Sequence, residues 1–369
     1  MDADFRAHFQ KPQNYKEPPA QELRSKTIHP NLNSIDYRSR VPETNQPQLL
    51  PFYETLTTNA DQSTILLATN SYTSRLWNGS IFGYEQFDDV GKIDAAKIKL
   101  SIDSNVKGVQ FASKQIIVFG TACGSLQLWS TQSEMRQKSG YSLYKISAKS
   151  EHSGYIDAMD LLGGEVKNKV ITGSSDGCIK IWDLITDLVS ENVYRYAHCG
   201  IVKGISSKPG SDFMFVSCSQ DRLLSIWDKR STKPVIKFCE NPRVENTACL
   251  WQCISGKEFI NLGDVSGDVF IYDPRKLNET LATKHFFDRP IHKFKVSPKG
   301  NVLSVLGQSE TIKSCTNDTN MTILQEIAPS TDYVRDICWS TKANQENTFY
   351  TVGWSKSVEK NTFKNLCSN

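Results

Sequence analysis

The chain has little of what marks most biochemical classes. No apolar run in its 369 residues approaches the length of a membrane helix, so no membrane association is expected. Its net charge of +3 is not gathered into a basic run, which argues against a direct nucleic-acid partner. The opening MDADFRAHFQ lacks the basic-then-apolar order of a secretory signal. The ten cysteines include no C-x-x-C pair; Cys249 and Cys253 come nearest, on a segment that reads as strand. Thiols scattered in this way do not suit a zinc site and serve as small core residues in a reducing compartment. A cytoplasmic and nuclear protein is expected, with the sequons at Asn78, Asn278, Asn317 and Asn320 unused.

Nucleotide fingerprints are missing as well. Neither G-x-G-x-x-G nor G-x-x-x-x-G-K-[ST] occurs, so no cofactor is expected. Gly173–Gly177 does match the G-x-S-x-G of hydrolase nucleophile elbows, with Ser175 at its centre. That motif needs a helix after the turn, and CIKIWD, which follows, alternates as a strand. No catalytic constellation is recognisable, and the chain is expected not to be an enzyme.

What the chain does have is strands. Helical periodicity is almost absent from Leu49 onward. The clearest stretch is Gly173–Asp183, GSSDGCIKIWD, where an Asp-Gly turn leads into an alternating run. Ile179 and Ile181 point one way, Lys180 and Trp182 the other. Weaker copies recur. Trp129, Trp182, Trp227 and Tyr272 are equivalent, and nine residues before each stands Gly120, Gly173, Cys218 or Gly263. The same phase picks out Gly307 with Thr316 and Gly353 with Thr362. Spacings of 53, 45, 45, 44 and 46 residues match the period of a four-stranded propeller blade.

The first blade is anchored by Tyr84, 45 residues before Trp129, because Asn78-Gly79 carries a type I′ turn signal like that of Asp176-Gly177. Trp77 then falls in an enlarged hairpin loop, Asn70–Gly79, about seven residues longer than its counterparts. Seven blades result. The chain resembles WD-repeat proteins, and two copies carry their hydrogen-bond chain: His152, Thr172, Asp176 and Trp182, then His198, Ser217, Asp221 and Trp227. The expected fold is therefore an all-β, seven-bladed WD-repeat β-propeller spanning 25–369, after a flexible tail at 1–24. Only seven residues follow Thr362, so the last outer strand is expected from about Lys26–Val41, closing the ring with an N-terminal strand.

Function on such a platform lies in departures from the repeat. The loop holding Trp77 also carries Tyr72, Arg75 and Leu76, and Tyr, Arg and Trp are types enriched at binding hot spots. The first-blade SRLWNGSIF, the middle segment with Ala197-His198 and Phe215–Ser219, and the late Tyr333–Ser340 with Thr351–Trp354 resemble one family. It is the WD-repeat subunit of the methylosome, partner of the type II protein arginine methyltransferase, and the sequence is similar to a divergent insect member. The resemblance runs from about residue 55 to Val358. Thr316 and Thr362 depart from it by replacing the blade tryptophan, and Lys356 stands where the turn Asp is expected. It implies a non-catalytic scaffold in a hetero-oligomer, presenting Sm proteins and histones for symmetric dimethylation. It also implies that Trp77, with Arg75 beside it, inserts into the enzyme. The alternative is a substrate receptor of a cullin-type ubiquitin ligase, resting on the W-D-x-R-like boxes Trp227–Arg230 and Tyr272–Arg275.

Overall fold

The computed structural model describes residues 48–72, 77–131, 143–164, 167–239, 241–254, 256–342 and 347–363. Its strands form seven antiparallel sheets, at 52–102, 106–150, 156–194, 202–238, 246–285, 291–327 and 334–362. In each, the strands follow one another in chain order, and the first strands of successive sheets touch round an inner circle. The first strand of the seventh sheet, Val334–Trp339, meets that of the first, Phe52–Thr58, and the circle is closed. The chain is an all-β, seven-bladed propeller.

Side chains alternate across a strand, so a strand covered on both faces reads as a continuous apolar run. Ile65–Asn70, Gly79–Tyr84, Val302–Gly307 and Thr348–Gly353 are buried at every position. Their two faces serve different neighbours. Leu66 and Ala68 pack toward the second blade with Val106 and Phe119, while Ile65 and Leu67 pack toward the seventh with Tyr350 and Val352. Ile179 and Ile181 likewise join the seam with the fourth blade, and Trp182 joins the seam with the second. The apolar core is seven such seams.

The repeat frame read from the sequence holds round the ring. Tyr84, Trp129, Trp182, Trp227, Tyr272, Thr316 and Thr362 take the same rung, opposite Ile65, Ile117, Val170, Phe215, Ile260, Val302 and Thr348. Where threonine replaces the aromatic, rings from elsewhere in the chain fill the seam. Phe286 and Phe287 lie between the fifth and sixth blades, and Trp339, Phe349 and Phe363 between the sixth and seventh.

Two turn assignments need correction. Asn78-Gly79 is not a turn pair, because Gly79 opens a strand and is paired with Asn70. Its glycine is set by crowding: a Cβ there would lie 2.7 Å from the Ser104 carbonyl oxygen and 2.9 Å from Val106. At Asp176-Gly177 only the glycine has positive φ, +73°, whereas type I′ needs it at both central residues. Gly177 N–H donates to the Ser174 carbonyl, giving a turn capped by one left-handed glycine.

The seventh sheet has three strands among the described residues, ending with Val358–Thr362. The strand expected from 26–41 and the boundary expected at residue 24 lie outside those residues. If that segment pairs with the outer edge of Val358–Thr362, deleting residues 1–45 lowers the melting temperature of the whole ring in one transition. An unchanged melting curve would mean that the ring closes without it.

Candidate functional site

Each inner strand carries one β-bulge at the same register, and the extra residue is polar in every blade. The seven are Glu54, Lys107, Asp157, Lys203, Thr247, His292 and Arg335. A bulge re-aims the side chain it carries, and two pairs of these meet from blade to blade. Lys203 Nζ lies 2.9 Å from Asp157, and Arg335 Nη2 lies 2.6 Å from Glu54 Oε1. Burial works to raise the Glu54 carboxyl, but Arg335 and Lys107 hold it below its ordinary value. Burial, with Arg335, Lys293 and Lys107 nearby, pushes His292 well down.

The enlarged first-blade loop stands on this ring. From the common rung opposite the third-strand aromatic, the hairpin runs 19 residues to Tyr84 from Ile65, against 12 to Trp182 from Val170. Part of the excess lengthens the two strands and part lengthens the loop, and Ser71 N–H bonds to the Asn78 carbonyl across it. Tyr72 is fixed at its base. Its hydroxyl donates to Glu54 Oε2 at 3.1 Å and accepts from Asn70 Nδ2 at 3.3 Å. Its ring lies 5.2 Å from Phe52, 6.1 Å from Trp354 and 5.6 Å from Lys107 Nζ. Burial and the Glu54 charge raise the phenol above its ordinary value, so it stays a donor. Trp77 meets this ring edge-on at 6.2 Å and is otherwise 57% exposed. Arg75 and Leu76 lie outside the described residues.

Across the seam, Trp354 packs on Phe52 at 5.2 Å and Tyr333 at 5.5 Å, with the Arg335 guanidinium 5.6 Å from its ring. Phe52, Glu54, Lys107 and Arg335 were not singled out in the sequence. An alignment of the inner strands would have exposed one polar residue following each of Tyr53, Val106, Ile156, Val202, Asn246, Ile291 and Val334. That two of them pair across 281 residues is a property of ring closure.

The two hydrogen-bond chains are structural. His152 Nε2 lies 2.8 Å from Thr172 Oγ1, which also accepts from Trp182 Nε1 at 2.8 Å, and His152 Nδ1 faces Asp176 at 3.1 Å. His198, Ser217, Trp227 and Asp221 repeat this at 2.7, 2.8 and 2.9 Å. Both nitrogens of His152 are thus engaged away from Ser175, which sits in a strand-to-strand turn bonded to the Tyr155 carbonyl. The elbow geometry is absent. In the basic boxes, Arg230 and Arg275 each grip their own Asp228 and Asp273 and remain exposed.

The structure is thus a ring of seven four-stranded-type blades with one lengthened aromatic loop on the first. The family model described as "WD domain, G-beta repeat" matches residues 147–183 and 190–228, the two copies with complete hydrogen-bond chains. The chain belongs to the WD-repeat family of Protein valois of Drosophila melanogaster, to which it is 30% identical over 294 residues, 76% of this chain and 78% of that one. Methylosome protein WDR77 of Xenopus laevis is 25% identical over 299 residues, 80% and 84% of the two chains. A chain in a solved structure of the COPII outer coat vertex on membranes superposes with a TM-score of 0.71 over 86% of each chain. At 17% identity this likeness concerns the fold alone.

His152 gives the blades a pH dependence. Burial holds it below its ordinary value near 6.5 against the pull of Asp176, with Lys180 and Glu151 also facing it. As pH falls through about 6.5 the unfolded chain takes up a proton that the folded chain refuses, so stability is full above that value and declines below it. His152→Gln is expected to lower stability at pH 7.5 by about 1–3 kcal/mol, through the broken buried chain. It should also flatten the loss between pH 6.5 and 5, measured by urea melts.

Proposed function

We propose that this chain is the non-catalytic scaffold of a protein arginine methyltransferase complex, presenting Sm proteins and histones for symmetric dimethylation in cytoplasm and nucleus. The observation that carries the proposal is Trp77. It stands more than half exposed on a lengthened loop, while the six other tryptophans are buried or half-buried. An exposed aromatic on a fixed base suits an anchor that fills a partner's pocket. Similarity along most of the chain to a protein whose name places it in the methylosome supports the choice of complex.

Arg230 and Arg275 favour a second reading. They stand exposed on adjacent blades, each pre-set by its own aspartate, which suits contact with a ubiquitin-ligase adaptor. A pull-down from cell extract with the full chain separates the two by its dominant partner, methyltransferase or cullin adaptor. Trp77→Ala is expected to weaken methyltransferase binding by roughly thirtyfold, about 2 kcal/mol. Its melting temperature should stay unchanged, since Tyr72 is the ring it touches. Undiminished affinity would remove Trp77 from the interface.

A further inference from the structure

The base of the Trp77 loop is held from two blades that are joined only by closure of the ring. Phe52, Glu54 and Tyr72 belong to the first blade; Tyr333, Arg335 and Trp354 belong to the last or to its entry and hairpin turns. Glu54 is the hinge of the set. It is 4% exposed, and one oxygen takes the Tyr72 hydroxyl while the other takes Arg335. Trp354 closes the other side, touching both Phe52 and Tyr72. The ring on which Trp77 rests is therefore located by groups that separate if the seam opens.

We propose that Glu54, Arg335 and Trp354 are positioning residues for the Tyr72–Trp77 pair, so that partner docking is coupled to the seam between the last and first blades at the end that carries the loop. This rests on the docking role proposed for Trp77. Linkage makes the coupling reciprocal: a partner that binds only the assembled base holds that end of the seam together, and loosening that end weakens the partner's grip by the same factor.

The opposite end of the same seam supplies a control. There Gln62 Nε2 donates to the Trp339 carbonyl at 3.1 Å, Ser340 Oγ donates to Gln62 Oε1 at 3.3 Å, and Phe87 stacks on Tyr350 at 3.7 Å. Gln62 follows the far end of Phe52–Thr58, whereas Glu54 lies near its start, next to the loop. Gln62→Ala loosens only the opposite end of the seam, without touching Tyr72. Glu54→Gln keeps the side-chain shape but has only one oxygen to offer Tyr72 and Arg335.

The test uses the full chain with fluorinated tryptophan and fluorine NMR, and the methyltransferase as binding probe. Glu54→Gln should move or broaden the Trp77 and Trp354 signals and leave those of Trp182 and Trp227 in place; Gln62→Ala should leave all four. Glu54→Gln should also weaken methyltransferase binding by about five- to tenfold, at the lower end of usual coupling energies. On a Trp77→Ala background it should cause no further loss, the non-additivity expected of residues acting through one another. Unchanged Trp77 and Trp354 signals, or equal losses of affinity from Glu54→Gln and Gln62→Ala, would overturn the positioning role. If Trp77→Ala itself costs no affinity, the docking role falls, and with it the coupling. If wild-type chain does not bind the methyltransferase, the proposed function fails and the fluorine spectra alone decide whether Glu54 positions the loop.

Discussion

Everything in this molecule depends on each sheet being buried on both faces. A blade alone would expose both apolar faces to water, and two-sided strands such as Ile65–Asn70 would have nothing to cover them. Seven blades solve this by giving each face a neighbour, and the last seam has to form between segments that are far apart in sequence. Closure is therefore a long-range event, with the loop-closure entropy that implies. The final seam spans the full height of the blades, from Phe52–Trp354 at one end to Phe87–Tyr350 at the other.

The polar groups on that seam are costly to separate. Asp336 is 1% exposed, accepts the Leu56 N–H at 3.2 Å across that seam and lies 2.9 Å from Lys293 Nζ of the sixth blade. Glu54 and Arg335 add a second pair, also removed from water. Buried ion pairs stabilise little when intact, but stranding one partner is strongly unfavourable, commonly by about 3–5 kcal/mol. They make the closing contact specific: a misregistered seventh blade would leave carboxylates and cations unmatched in an apolar seam. The exposed Trp77 stands beside this most conditional part of the ring, where its base is fixed only once closure is complete.

The contrast between the two tetrad blades and the others follows from the same packing. Thr172 and Ser217 sit at a rung where Phe119 and Leu262 stand in the second and fifth blades. A hydroxyl there accepts from the indole and completes a polar chain to His and Asp; an apolar side chain leaves the aromatic to be held by packing, and Trp129 turns to Gln127 instead. Both solutions fill the seam, so only two repeats keep the motif that sequence comparison detects. Likewise, Phe286, Phe287 and Trp339 fill seams that Thr316 and Thr362 would leave thin.

By itself the sequence determined the period, the common third-strand rung in every blade, and both hydrogen-bond chains. Each of these is local: side-chain alternation, turn residues and spacings within one blade repeat along the chain. It also left Trp77 without a place in the repeat, because the count from Trp129 led to Tyr84. What it did not hold was the floor beneath Trp77. The polar bulge residues lie in short inner strands with no motif of their own, and the Glu54–Arg335 pair spans 281 residues. Asn78-Gly79 misled for a related reason, since glycine serves both for positive φ and for close approach, and only the presence of Ser104 and Val106 shows which. Contacts that exist only once the ring has closed were left to the tertiary structure, because no local pattern along the chain encodes which distant blade will be the neighbour.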